Sequence, residues 1–180
     1  MERINQIIRH ELYQSCLKKN KEYEQERIFC KHSMEHFLDV CRLAEIEWLT
    51  YCFVNQEQTM AMAVDKYKNT KKEYEIFREM IYAAGLLHDI GRWKEYEVEI
   101  RHEDASALLA PEILRDCQFD EDEIEEILFA ILNHRNTEIK EENSLAGILY
   151  RADKKSRACF CCDAEKECNW SVSKKNMKIV

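Results

Sequence analysis

The chain has 180 residues, 46% of them apolar and 34% charged, with a formal net charge of −8. That size fits one domain with a core of its own, and the balance excludes a collagen-like, membrane-spanning or disordered chain. So acidic a surface also argues against general nucleic-acid binding, and with 3 Gly and 1 Pro there is little material for the turns of a sandwich or barrel. The fold class expected is all-α.

Helical periodicity runs almost from end to end. A first segment from Arg3 to about Lys19 sets Ile4, Ile7, Ile8 and Leu12 on one face. A second, from about Phe29 to Phe53, carries a stripe of Phe37, Val40, Cys41, Ala44 and Trp48. Residues 55–72 weaken into Gln, Lys and Met-rich sequence and read as an insertion with a shorter helix and loops. A third segment spans about Glu73 to Ile90 and should stop at Gly91, acting as a C-terminal cap. A fourth begins at His102 and meets Pro111, which should kink or end it. In the fifth, Asp120 and Glu123 resemble a capping box ahead of Ile124, Ile127, Leu128 and Ile131. The sixth runs from Ser144 to about Arg157. The divisions expected are an N-terminal helix over 1–28, a domain over 29–157 and a Cys-rich segment, 158–180, packed on it.

The start lacks the apolar core of a secretory signal, and the longest apolar run, Met80 to Leu87, is too short for a membrane span. With an odd count of 9 cysteines, the expectation is a cytoplasmic protein with reduced thiols. Cys159, Cys161, Cys162 and Cys168 form a cluster near the end. Their spacing resembles no known zinc module, so they read first as thiols packing the end of a helix against the bundle, with a soft-ligand metal or a redox pair as the alternatives.

Five helical segments each aim a His or Asp at the middle: His36, His88-Asp89, His102, His134 and Asp153. A buried carboxylate costs several kcal/mol unless compensated, and a divalent cation is a strong compensator. Each residue has a plainer reading. A His on an apolar face is often a satisfied core residue, and Asp153 has Arg151 and Lys154 beside it as ion-pair partners.

The order His36, His88-Asp89, Asp153, within His36-Phe37-Leu38-Asp39, Ala84-Gly85-Leu86-Leu87-His88-Asp89-Ile90-Gly91 and Tyr150-Arg151-Ala152-Asp153-Lys154, resembles the HD-domain superfamily of metal-dependent phosphohydrolases. The resemblance implies a helical bundle in which His36, His88, Asp89 and Asp153 hold one metal. His102 and His134 stand where binuclear members carry further histidines, so Asp89 would bridge two cations. His32, one turn before His36, is a further residue within reach. The resemblance implies one or two divalent ions, with Mn, Fe, Co, Ni, Zn and Mg not distinguished.

Arg92 stands where some members carry Lys and certain nucleotidases Glu. A guanidinium is no general base, so Arg92 is read as a group acting in catalysis beside Asp89 by binding phosphate, with a surface arginine as the alternative. Arg135, Lys154 and Arg157 could widen that contact. The function implied is hydrolysis of a phosphate ester or anhydride of a small metabolite, a nucleotide first among them. The alternative is a catalytically silent HD-type nucleotide-binding or sensory domain, and either leaves room for a homo-oligomer.

Overall fold

A computed structural model describes residues 1–54 and 71–179. Nearly all of the expected insertion therefore lies outside the described residues. Among the described residues, eight α-helices carry the fold: α1 Glu2–Arg9, α2 Glu11–Tyr23, α3 Met34–Val54, α4 Lys71–Leu87, α5 Arg92–Val98, α6 His102–Asp116, α7 Glu121–Asn133 and α8 Leu145–Lys155. The all-α class stands. No described helix is long and apolar enough to cross a membrane.

The predicted stripe of α3 is its buried face: Phe37, Val40, Cys41, Ala44 and Trp48 are all sealed from solvent. Opposite it, α4 buries Phe77, Met80, Ile81, Ala83, Ala84, Leu86 and Leu87. Trp48 packs edge-on against Phe77, with ring centroids 4.9 Å apart, and stacks on Tyr74 at 5.0 Å. α8 lies against α3 and α7, and α6 against α7, so the ends of α4, α6, α7 and α8 meet at one region of the core.

The first segment is two helices, not one. His10 takes an extended ψ of 131°, and its Nδ1 accepts the Leu12 N–H at 3.2 Å, so the residue closes α1 and caps α2. Pro111 does not end the fourth segment: α6 runs through it to Asp116. The missing N–H is tolerated because Ala110, Ile113 and Leu114 are fully buried on either side of it, and packing overrides a weak local preference.

The fifth segment starts as expected. The Asp120 carboxylate accepts the Glu123 N–H at 2.9 Å, and the Glu123 carboxylate accepts the Asp120 N–H at 3.0 Å. Glu123 also holds Arg3 at 2.6 Å, which ties α1 to the start of α7. Asp120→Ala should cost about 1 kcal/mol, read from the urea midpoint. An unchanged midpoint would show that the cap contributes nothing here.

Gly91 has a different reason for being glycine from the one expected. Its φ is −86°, an ordinary value, and it precedes α5 instead of capping α4 in the left-handed region. A Cβ there would stand 2.4 Å from the Ser106 nitrogen and 2.6 Å from the Ala105 carbonyl carbon. Only a hydrogen lets the turn after α4 touch the backbone of α6.

Candidate metal centre

The turn carrying His88 and Asp89 is held on three sides. Asn20, fully buried on α2, donates from Nδ2 to the Asp89 carbonyl at 2.9 Å and accepts the Trp93 N–H at 2.8 Å. The Ser106 hydroxyl accepts the Gly91 N–H at 2.9 Å. The His88 N–H still bonds the Ala84 carbonyl at 3.0 Å, which continues α4 by one residue. Backbone and side chains thus aim the Asp89 carboxylate into the core, where the residue is 3% exposed.

Imidazoles from four elements surround that carboxylate. Its Oδ1 lies 3.3 Å from Nε2 of His102 and 3.6 Å from Nε2 of His134. Its Oδ2 lies 3.4 Å from Nε2 of His88 and 3.4 Å from Nε2 of His32. Asp153 faces the same region from α8, with Oδ1 3.7 Å from Nε2 of His36 and 4.0 Å from Nε2 of His88. The six residues named as ligands, His36, His88, Asp89, His102, His134 and Asp153, therefore all reach one region.

The ring tautomers follow from the outward bonds. His88 donates from Nδ1 to the Gly85 carbonyl at 2.8 Å, and His134 donates from Nδ1 to the Ile131 carbonyl at 2.6 Å. His102 Nδ1 meets the Glu95 carboxylate at 2.7 Å, and His32 Nδ1 meets the Glu24 carboxylate at 2.5 Å. For His88 and His134, whose outward partners are carbonyls, the bond leaves Nε2 as the inward lone pair, the arrangement that a metal-ligating histidine requires.

These donors fit divalent cations. The inward atoms of His36, His88 and Asp89 lie within 4.8 Å of one another, as do those of Asp89, His102 and His134. His36 Nε2, His88 Nε2 and Asp89 Oδ1 are buried without a hydrogen-bond partner. Orphaned acceptors of this kind cost free energy unless something fills the space between them. Imidazole with carboxylate is a borderline donor set suited to first-row divalent metals.

Electrostatics reinforce the pattern. Burial pushes the pKa of His36 down to about 4, and burial likewise lowers those of His88, His102 and His134. Burial alone would raise Asp89, yet the imidazoles of His88, His32, His102 and His134 hold its carboxyl well below the usual carboxylate range. Asp153 is lowered too, by Lys154 first and then His88 and His134, against the opposing pull of burial. The centre thus presents neutral imidazoles and ionised carboxylates.

These shifts set a pH dependence for the metal-free protein. An unfolded histidine takes its proton near pH 6.5, whereas folded His36 resists until about pH 4. Acidification through that window favours the unfolded state, so stability should fall from pH 7 toward pH 4, by on the order of 3 kcal/mol for His36 alone. Asp89 and Asp153 extend the loss to lower pH. Urea midpoints of chelator-treated protein at several pH values measure it, and a flat profile would contradict these shifts.

The cationic residues divide. Arg92 is no surface arginine: its Nη1 lies 2.9 Å from Glu95 and 2.5 Å from His102 Nδ1, and its Nε donates to the Tyr96 hydroxyl at 3.2 Å. Lys154 Nζ bonds Asp153 Oδ2, with Arg157 Nη2 3.7 Å from the same oxygen. The ion-pair reading of Asp153 is therefore realised on one oxygen while the other faces the histidines. Arg151 turns away to Glu47 and two backbone carbonyls. Arg135 is half exposed and reaches Glu103 at 3.7 Å.

Sequence reasoning missed Glu24, Glu95 and Tyr96. Tyr96 links Glu24 to Arg92, donating to Glu24 at 2.9 Å while accepting from Arg92. Glu95 and Tyr96 lie on α5, whose seven residues have no side-chain cap to announce them. Glu24 follows α2, where periodicity gives no signal.

The family model described as "HD domain" matches residues 31–158 of the chain. An uncharacterized protein of Clostridium beijerinckii is 38% identical over 179 residues, 99% of each chain. No solved structure matches. A match across most of the chain, with the His-Asp turn at the middle of a buried cluster of imidazoles and carboxylates, leads to one conclusion: this chain belongs to the HD-domain family, a family of metal-dependent phosphohydrolases.

Proposed function

We propose that the chain is a metal-dependent phosphohydrolase acting on a small phosphorylated metabolite, with nucleotides as the substrate class. His36, His88, Asp89 and Asp153 would hold one cation, and Asp89, His102 and His134 a second. The carrying observation is the Asp89 carboxylate, whose two oxygens each face a separate pair of imidazoles. Cations bound there would supply Lewis acidity toward a phosphoryl oxygen and acidify a water for in-line attack.

The chain's own residues do the rest. Asp89 bridges the two donor sets. The outward bonds of His88 and His134 to carbonyls keep their lone pairs inward without rotation. Glu95 meets His102 Nδ1 and also fixes Arg92, so that the guanidinium borders the second donor set. From there Arg92 can bind a phosphoryl oxygen and take up charge that grows as the water attacks. Lys154 and Arg157, beside Asp153, extend the positive rim on the opposite side, and Arg135 borders it from the end of α7. In an acidic chain such a local positive centre is what would hold a phosphorylated substrate.

Turnover assays on nucleotide and phosphomonoester panels with Mn, Co and Fe(II) test the reading. Release of phosphate or nucleoside monophosphate is expected. Nucleotide binding without release would instead identify a catalytically silent domain. Arg92→Ala should raise KM at least about tenfold, the loss of one charge-assisted contact, while metal content stays at the wild-type level. An unchanged KM would remove Arg92 from the substrate site.

A further inference from the structure

Beyond α8 the chain changes character. Residues 158–179 contain two short 3-10 turns, Cys159–Cys161 and Val172–Lys174, and no buried apolar side chain. Phe160, Trp170, Val172 and Ile179 are all exposed. A segment with no core of its own ordinarily needs a covalent or metal staple to hold one conformation. The polar tethers are few. Asn176 Nδ2 donates to the carbonyls of Lys154 and Arg157 at 2.7 and 2.9 Å, and Lys175 pairs with Glu165 at 2.8 Å. No disulfide contributes, since Cys159, Cys161, Cys162 and Cys168 are all free thiols.

Three of those four residues border a common cavity, although no three of the sulfurs of Cys30, Cys159, Cys162 and Cys168 stand within 4.8 Å of one another before a metal draws them together. Cys159, Cys162 and Cys168 line a cavity of about 290 Å³, and the fourth thiol on its wall is Cys30, from the loop between α2 and α3. Cys161 is not on that wall; it is exposed, and its Sγ contacts the Ala158 carbonyl at 3.4 Å. Cys30, although exposed, has its pKa raised by desolvation and feels Arg157, Cys159 and Cys162, while that of Lys175 is raised first by its bond to Glu165 and last by Cys168 and Cys159. Arg157 and Lys175 also line the cavity, where they would offset the charge of several thiolates. Cys159 and Cys162 stand in Cys-x-x-Cys spacing, which lets one turn offer two sulfurs to a single centre.

We propose that Cys30, Cys159, Cys162 and Cys168 form a four-thiolate metal site, distinct from the imidazole–carboxylate centre, that staples the tail to the loop between α2 and α3. Four thiolates suit a zinc ion or an iron–sulfur cluster, and binding releases the proton of each thiol it engages. The missing core of the tail is thereby replaced by metal–sulfur bonds. His36 lines the same cavity, and the stapled loop carries His32, so the staple would brace the flank of the first donor set.

The test uses the untagged full chain, purified without oxygen, and does not depend on turnover. Metal and acid-labile sulfide are measured on the wild type and on the Cys159→Ser/Cys162→Ser double variant. Expected in the wild type is either zinc, or iron together with sulfide, that the variant lacks. Asp89→Asn should retain that thiol-bound metal, which separates this site from the one at Asp89. Should the double variant fold poorly, alkylation of the wild type followed by peptide mass spectrometry replaces it. Cys30, Cys159, Cys162 and Cys168 should resist labelling until a chelator is added, while Cys161 labels throughout. Equal labelling of all five before and after chelation, or equal metal in wild type and double variant, would overturn the proposal.

Discussion

Asp89→Asn should leave a folded protein that retains neither cation at the histidine cluster and turns over no substrate. The carboxylate is the one group facing both donor sets, with Oδ1 3.3 Å from His102 Nε2 and Oδ2 3.4 Å from His88 Nε2. An amide keeps the shape but removes the negative charge, and its nitrogen donates a hydrogen where a lone pair is needed. The backbone of the turn is held independently, through Asn20 and Ser106, so the fold should survive the exchange. Losing an outer partner of a ligand typically weakens metal binding 10–100-fold, so losing a shared ligand should exceed about 100-fold at both positions. Cation titration of chelator-treated protein, with thermal unfolding as the check on folding, reads the effect. Retention of two cations by a folded Asp89→Asn protein would refute the bridging role.

A change that touches no donor should have the next largest effect. In Gly91→Ala the new methyl would stand 2.4 Å from the Ser106 nitrogen and 2.6 Å from the Ala105 carbonyl carbon, both main-chain atoms. A side chain could rotate away from such a clash, but helix backbone must move as a body. Overpacking of this kind costs about 1–3 kcal/mol, enough to lower Tm by several degrees in a chain of this size. The displacement also has a direction. α6 carries His102 three residues before Ala105, so shifting it draws that imidazole away from Asp89 Oδ1. Affinity at the position shared by His102 and His134 should therefore fall further than at the position shared by His36 and His88. A wild-type Tm with both affinities intact would show that the turn can yield.

Signals confined to one turn were legible in the sequence. The Asp120–Glu123 box and the apolar stripe of α3 depend on residues three or four apart, and both stand as read. What was not legible depended on distant neighbours. Pro111 belongs to a helix because the core on both sides of it outweighs one lost hydrogen bond. His10 breaks a continuous pattern because its ring can cap the helix that follows. Gly91 looked like a helix stop, although its lack of a side chain serves contact with a helix that begins eleven residues later.

The site shows the same division. The histidines and aspartates stood out in the sequence as polar residues on apolar faces, whereas the groups that orient them did not. Glu95 and Glu24 are ordinary glutamates until the fold brings them to the outward nitrogens of His102 and His32. His32, only one turn before His36 in sequence, reaches Asp89 from an irregular loop, a position that no helical periodicity could assign.

A crystal structure of Mn-loaded protein, with anomalous scattering collected at the metal edge, addresses the histidine–aspartate cluster most directly. Two peaks are predicted, one on each side of the Asp89 carboxylate, the first against His36, His88 and Asp153 and the second against His102 and His134. A structure grown at saturating Mn with no peak beside Asp89, and with water alone between those side chains, would contradict the metal centre.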